Sequence, residues 1–235
     1  MRKTISTILA SAALVAVACT AAALPSNAEA AVVSFNFGSH TGNLGTTETY
    51  SVSGLTVTAS GFSSPNHTTD LYGKSAGGDE VGLGLANDPS GDNEIYYGMG
   101  FVQLNVSNLV GKVDPNQVFF GTNSTTNGET WAVYGSNSSG SYSTSNLVAS
   151  GSTEGSHLLS GFGAYEYYDF VSTGPAPTFN RSTWRYNTDG GNFLISNLSV
   201  AAVPEPATWA MMLMGFFGMG SLLRSRRKAL AFAAV

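Results

Sequence analysis

The chain of 235 residues has one cysteine, three histidines and few charges. Charged side chains make up 11% of it, less than half the roughly 25% of an average soluble domain. Cys19 lies within an apolar N-terminal stretch. Once that stretch is removed no thiol remains, which excludes disulfides, cysteine nucleophiles and thiolate metal sites. His40, His67 and His157 are scattered without ligand spacing, and the sequence holds no H-E-x-x-H, P-loop, complete G-x-G-x-x-G or G-x-S-x-G elbow. The chain therefore reads as non-enzymatic; the alternative is a glycoside-active enzyme, which needs only two carboxylates across a gap that no sequence spacing reveals. Basic residues are scarcest in the middle. Between Ala31 and Val203 only Lys74, Lys112, Arg181 and Arg185 stand against thirteen carboxylates, a formal charge of −9. Such a surface repels phosphate backbones and excludes nucleic acid as a partner. A helical period of 3.6 is also missing from the middle of the chain, as is any internal repeat of fixed length.

The two ends do carry long apolar runs. Arg2 and Lys3 precede a run from Ile5 to Leu24, broken by Pro25-Ser26-Asn27 ahead of Ala28-Glu29-Ala30. A basic start, an apolar run and an A-x-A site read as a secretory signal peptide over residues 1–30, cut after Ala30. Near the other end, residues 207–223 are uncharged and rich in Met, Phe, Leu and Gly. Seventeen residues at 1.5 Å each suffice, narrowly, for one transmembrane helix. Arg224, Arg226, Arg227 and Lys228 follow at once and predict a cytoplasmic tail over 224–235, with Trp209 at the opposite interface.

Pro204-Glu205-Pro206, then Ala207-Thr208-Trp209, the Gly-Phe-Phe-Gly-Met-Gly stretch and the Arg-rich end together resemble a PEP-CTERM sorting signal. The resemblance covers about the last 30 residues and implies an exosortase as partner, acting at the Pro-Glu-Pro motif. It also implies an inner-membrane intermediate and a final place at the cell surface or in an exopolysaccharide matrix. The same kind of tail is also described as an ice-binding protein C-terminal domain. Ice binding itself is not expected, because no repeating Thr ladder is present.

Residues 31–203 remain, enough for one domain with a sizeable core. Val33, Phe35 and Phe37 alternate with Val32, Ser34 and Asn36, Leu55, Val57 and Ala59 with Thr56 and Thr58, and Val102, Leu104 and Val106 with Gln103 and Asn105. Short alternating runs between Gly, Asn, Ser and Asp clusters predict about ten strands in a single antiparallel, jelly-roll-like β-sandwich. Long polar loops are expected at Ser60–Asp70, Ser136–Asn146 and Thr173–Arg181. Asp79, Glu80, Asp88, Asp92 and Glu94 fall within 16 residues, among glycines. Carboxylates with accessible backbone carbonyls are the ligands a structural calcium takes, although the spacing is not that of an EF-hand. Flat aromatic rings stack on sugar C–H faces. Tyr97, Trp131, Tyr167 and Trp184 are the leading candidates for a glycan surface, with Tyr72 among the further aromatics.

Overall fold

The computed structural model describes residues 30–125, 128–176, 179–182, 185–186, 191–203 and 212–220. Its body is a sandwich of two antiparallel sheets. Strands are numbered along the chain. The first sheet runs in the order β13 (Gly155–Leu158), β10 (Val113–Asn123), β17 (Asn192–Ala202), β7 (Val81–Leu85), β6 (Leu71–Ser75) and β2 (Gly42–Gly45). Two further strands, β1 (Val32–Asn36) and β8 (Ile95–Tyr96), also pair with β17. The second sheet runs in the order β12 (Leu147–Gly151), β11 (Thr130–Ser136), β14 (Tyr167–Gly174), β9 (Phe101–Asn105), β4 (Leu55–Ser64) and β3 (Thr47–Val52), with β5 (His67–Thr68) beside β4. A two-stranded ribbon, β15 (Phe179–Asn180) with β16 (Arg185–Tyr186), completes the strands of the described residues.

The predicted alternation is what builds the core. In β1, Val33 and Phe35 are buried while Val32, Ser34 and Asn36 are exposed. In β4, Leu55, Val57 and Ala59 point inward. Between the sheets Phe120 of β10 meets Trp131 of β11 at 5.3 Å and Phe170 of β14 at 5.2 Å, both edge to face. Such pairs contribute about 1 kcal/mol each beyond the area they bury. Trp131, expected as an exposed glycan platform, is 2% exposed. The large indole is worth more to this core than to the surface.

The expected loop at Ser60–Asp70 is instead a hairpin, because β4 runs on to Ser64 and turns at Asn66 into β5. The Ser136–Asn146 stretch is a loop, as expected, but it lies on the outer face of the second sheet. Tyr142 stacks on Tyr134 at 5.2 Å and meets Phe101 edge-on. Phe62, Phe101 and Val171 form a second small core there. Beneath the loop Asp169 is fully buried. Gln103 donates to Asp169 Oδ1 at 2.7 Å, and Gln103 Oε1 accepts from Gly140 N at 3.0 Å. Asp169 Oδ2 has no hydrogen-bond partner, and burial pushes its carboxyl up to about 8.

Both ends of the sandwich leave from one pole. β1 pairs with the end of β17, Val32 opposite Ala201. Ala202 N donates to Ala31 O, and Val203 N to Lys112 O, each at 2.9 Å. Beyond the sandwich, residues 212–220 are helical. No helix among the described residues is long and apolar enough to cross a membrane; the rest of the predicted 207–223 span lies outside them.

Candidate functional site

The acidic segment does not converge as a cage of five carboxylates. β6 and β7 form a hairpin in register, Lys74 opposite Gly82 and Leu71 opposite Leu85. The chain then turns back before β8. Asp88 builds that turn: its Oδ1 accepts from Ser90 N at 2.8 Å and Ser90 Oγ at 2.7 Å, and its Oδ2 accepts from Glu94 N at 3.1 Å. An Asx-turn of this kind replaces backbone bonds the turn cannot make itself. Glycine makes the return possible. A Cβ on Gly84 would lie 2.1 Å from Asn93 O and 2.7 Å from Glu94 Cα.

The turn drives Glu94 inward, to 2% exposure, against the end of β6. Lys74 Nζ donates to Glu94 Oε1 at 2.6 Å and forms an ion pair with Glu80. Ser124, just past β10, donates to Glu80 Oε1 at 3.0 Å or to Glu94 Oε1 at 2.9 Å. One cation and one hydroxyl thus hold two carboxylates from separate parts of the chain. Burial pushes Glu94 up to about 7, more than Lys74 and Ser124 pull it down. Burial also pushes Glu80 up, but the hydrogen bonds from Lys74, Ser124 and Glu94 outweigh it and hold Glu80 below the ordinary carboxylate range. Lys74 is destabilised by burial and still ends above its ordinary value, because both carboxylates favour the ammonium.

Lys74 also lines an open cleft of about 640 Å³, together with Thr41, Tyr72, Ser75, Asp92 and Asn93. Tyr72 is half-buried, and Asp92 is exposed at the rim. Close by, His40 stacks on Tyr50 and its Nδ1 lies 2.7 Å from Glu48 Oε1.

Of the five predicted calcium ligands, the structure brings Glu80 and Glu94 together around Lys74. It commits Asp88 to its turn and leaves Asp79 and Asp92 exposed. Among the described residues no group of three or more His, Asp or Glu side chains is arranged to hold a metal ion. Lys74 already supplies positive charge where a cation was expected. Of the glycan candidates, Trp131 is in the core, while Tyr97 and Tyr167 are half-buried on different elements, one after β8 and one opening β14. Sequence reasoning named neither Lys74 nor Ser124 as a site residue. Lys74 stands inside the acidic segment and is its one cation, and that was the available signal. Ser124 gave none, being 30 residues from Glu94 and 44 from Glu80.

Ala30, at the expected signal cleavage, is half-buried just ahead of β1. Ala28, Trp184, Pro204, Glu205, Pro206, Trp209, Arg224, Arg226, Arg227 and Lys228 lie outside the described residues.

Comparison with curated proteins gives no match, and neither does comparison with solved structures. One family model does match, over residues 202–228, beginning on the last residue of β17. The chain carries a PEP-CTERM protein-sorting motif, the mark of an exported protein processed by an exosortase.

Proposed function

We propose that the protein is a non-enzymatic component of the cell surface or extracellular matrix that binds a neutral polysaccharide in the cleft beside Lys74. The observation that carries the reading is the sorting motif joined directly to a folded sandwich. On this reading residues 1–30 direct secretion and are cut after Ala30. The 207–223 helix then holds the chain in the inner membrane with Arg224, Arg226, Arg227 and Lys228 on the cytoplasmic side. The exosortase acts at Pro204-Glu205-Pro206.

The cleft supports the polysaccharide part. Its lining brings together an aromatic residue, Tyr72, and the polar residues Thr41, Ser75, Asn93 and Asp92. A ring takes a sugar's C–H face, and such polar groups take its hydroxyls. An acidic polysaccharide fits poorly. Lys74 is already paired with two carboxylates, Asp92 stands at the rim, and the domain as a whole is strongly negative. Calcium plays no part in this reading, since Asp88 is engaged by its turn and Lys74 occupies the space between Glu80 and Glu94. Enzymatic acid–base chemistry is disfavoured by the same lysine, which fills the space a substrate would need between that pair.

The test is titration of the mature protein with the producing cell's own exopolysaccharide, with calcium and again with EDTA. Saturable binding in both buffers, weakened at least tenfold in Tyr72→Ala, is the expected result. Binding lost in EDTA would return a metal to the site. Binding unchanged in Tyr72→Ala would exclude the cleft, and no binding in either buffer would leave a structural role.

A further inference from the structure

We propose that the pole from which both chain ends leave is a lipid-facing seat, so that before processing the sandwich rests directly on the bilayer surface. The inference relies on the reading of 207–223 as a membrane anchor. It turns on the length of chain available. The last backbone hydrogen bond of the sandwich is Val203 N to Lys112 O. Only Pro204, Glu205 and Pro206 separate Val203 from Ala207. Four Cα steps at full extension span about 14 Å. The headgroup layer on one side of a bilayer takes up roughly 5–8 Å of that. The folded pole is therefore held within several ångströms of the headgroups, closer than one more protein layer would allow.

The surface presented there suits a lipid interface. Val32 is 74% exposed, and Val110 and Val203 are each 47% exposed. Val32 opens β1, Val203 closes the domain, and Val110 stands in the turn held by bonds from Leu109 N to Val106 O and Lys112 N to Leu109 O. Lys112, whose Nζ donates to Asn108 Oδ1, is placed to meet lipid phosphates, with Asp114 and Glu166 as the carboxylates nearby in the chain and fold. The acidic cluster lies at the other end: Glu94 precedes Ile95, which pairs with Phe193 at the start of β17. The nine steps from Phe193 to Ala202 amount to about 30 Å of strand. The seat therefore faces the membrane, with the acidic cluster and the cleft beside it further along the sheet.

The experiment uses the full chain with Cys19→Ser, in vesicles of phosphatidylethanolamine and phosphatidylglycerol. One variant carries Val110→Cys and another Ser75→Cys, each labelled with an environment-sensitive dye. Lipids spin-labelled at the headgroup serve as quenchers, and flotation reports membrane attachment separately. Quenching several-fold stronger at Val110→Cys than at Ser75→Cys is expected. Equal quenching at the two positions in a chain that floats with the vesicles overturns the seat and leaves the anchor standing. A chain that fails to float overturns the anchor reading and the seat with it.

Discussion

Asp169 is the carboxylate most exposed to the consequences of its surroundings, although no solvent reaches it. With Oδ1 engaged by Gln103 and Oδ2 unpartnered, its neutral form is the one the site accommodates. Burial raises it to about 8 in the folded protein from its ordinary 3.8. A carboxyl raised on folding stabilises the native state while protonated. Its contribution is complete below about pH 4 and is lost as pH rises through about 8. Glu94, raised from 4.5 to about 7, acts in the same direction over a narrower window. Stability should therefore fall from mildly acidic to mildly basic pH, by up to about 1.4 kcal/mol per pH unit for each group that titrates. Asp169→Asn mimics the protonated acid and cannot ionise. Thermal melts from pH 5 to 8 should show a clearly shallower decline in this variant, the remainder ending near pH 7 where Glu94 is spent. Parallel profiles for the two proteins would mean that Asp169 is not the group responsible. The slope is the informative quantity, because an amide left with an unpaired donor carries a cost of its own at every pH.

At the scale of elements, the β7 segment Val81-Gly82-Leu83-Gly84-Leu85 shows why two glycines interrupt a strand. Gly84 leaves room on its face for the returning turn, whose backbone lies against it. In Gly84→Ala the methyl group meets a carbonyl and a Cα, neither of which can swing aside. The turn must shift and draw Glu94 from Lys74. A loss of about 2–3 kcal/mol is expected, read as a lower urea midpoint with unchanged slope. An unaltered midpoint would mean the turn is free to move. This segment also shows what the sequence made legible and what it did not. Alternation identified β1 and β4, because each has one face on the core; β9 kept the pattern only because Gln103 is polar, although the covering loop buries it as fully as Val102 and Leu104. It could not rank Trp131, since Trp131, Ala132 and Val133 are all buried: the Ser136–Asn146 loop covers the outer face of β11, so neither parity marks the solvent side. The β4–β5 hairpin was hidden by its Ser and Gly content, which reads as loop until tertiary pairing overrides it. In the site, the Asp88 turn could be read from neighbours a few residues apart. The Lys74 cluster could not, because its members meet only through the sheet.

For the molecule as a whole, the order of strands in the chain sets when it can fold. β17 is the last strand of the described residues and lies inside the first sheet, with β10 along one side and β1, β7 and β8 along the other. Phe193, Leu194, Ile195, Leu198 and Val200 are each at most 1% exposed. At about 1.5–3 kcal/mol per buried side chain, they contribute roughly as much as the whole net stability of a domain, about 5–15 kcal/mol. Without β17 the neighbouring strands also lose their ladder partner, and their backbone groups have nowhere else to pair. A chain ending at Gly191 should therefore be unfolded, with no cooperative melt, whereas a chain ending at Val203 should melt cooperatively without the sorting segment. Circular dichroism on both separates the cases, and a cooperative transition in the shorter chain would overturn the argument. Since the residue that closes β17 is also the first of the sorting motif, the sandwich can complete only once the chain is available up to that motif.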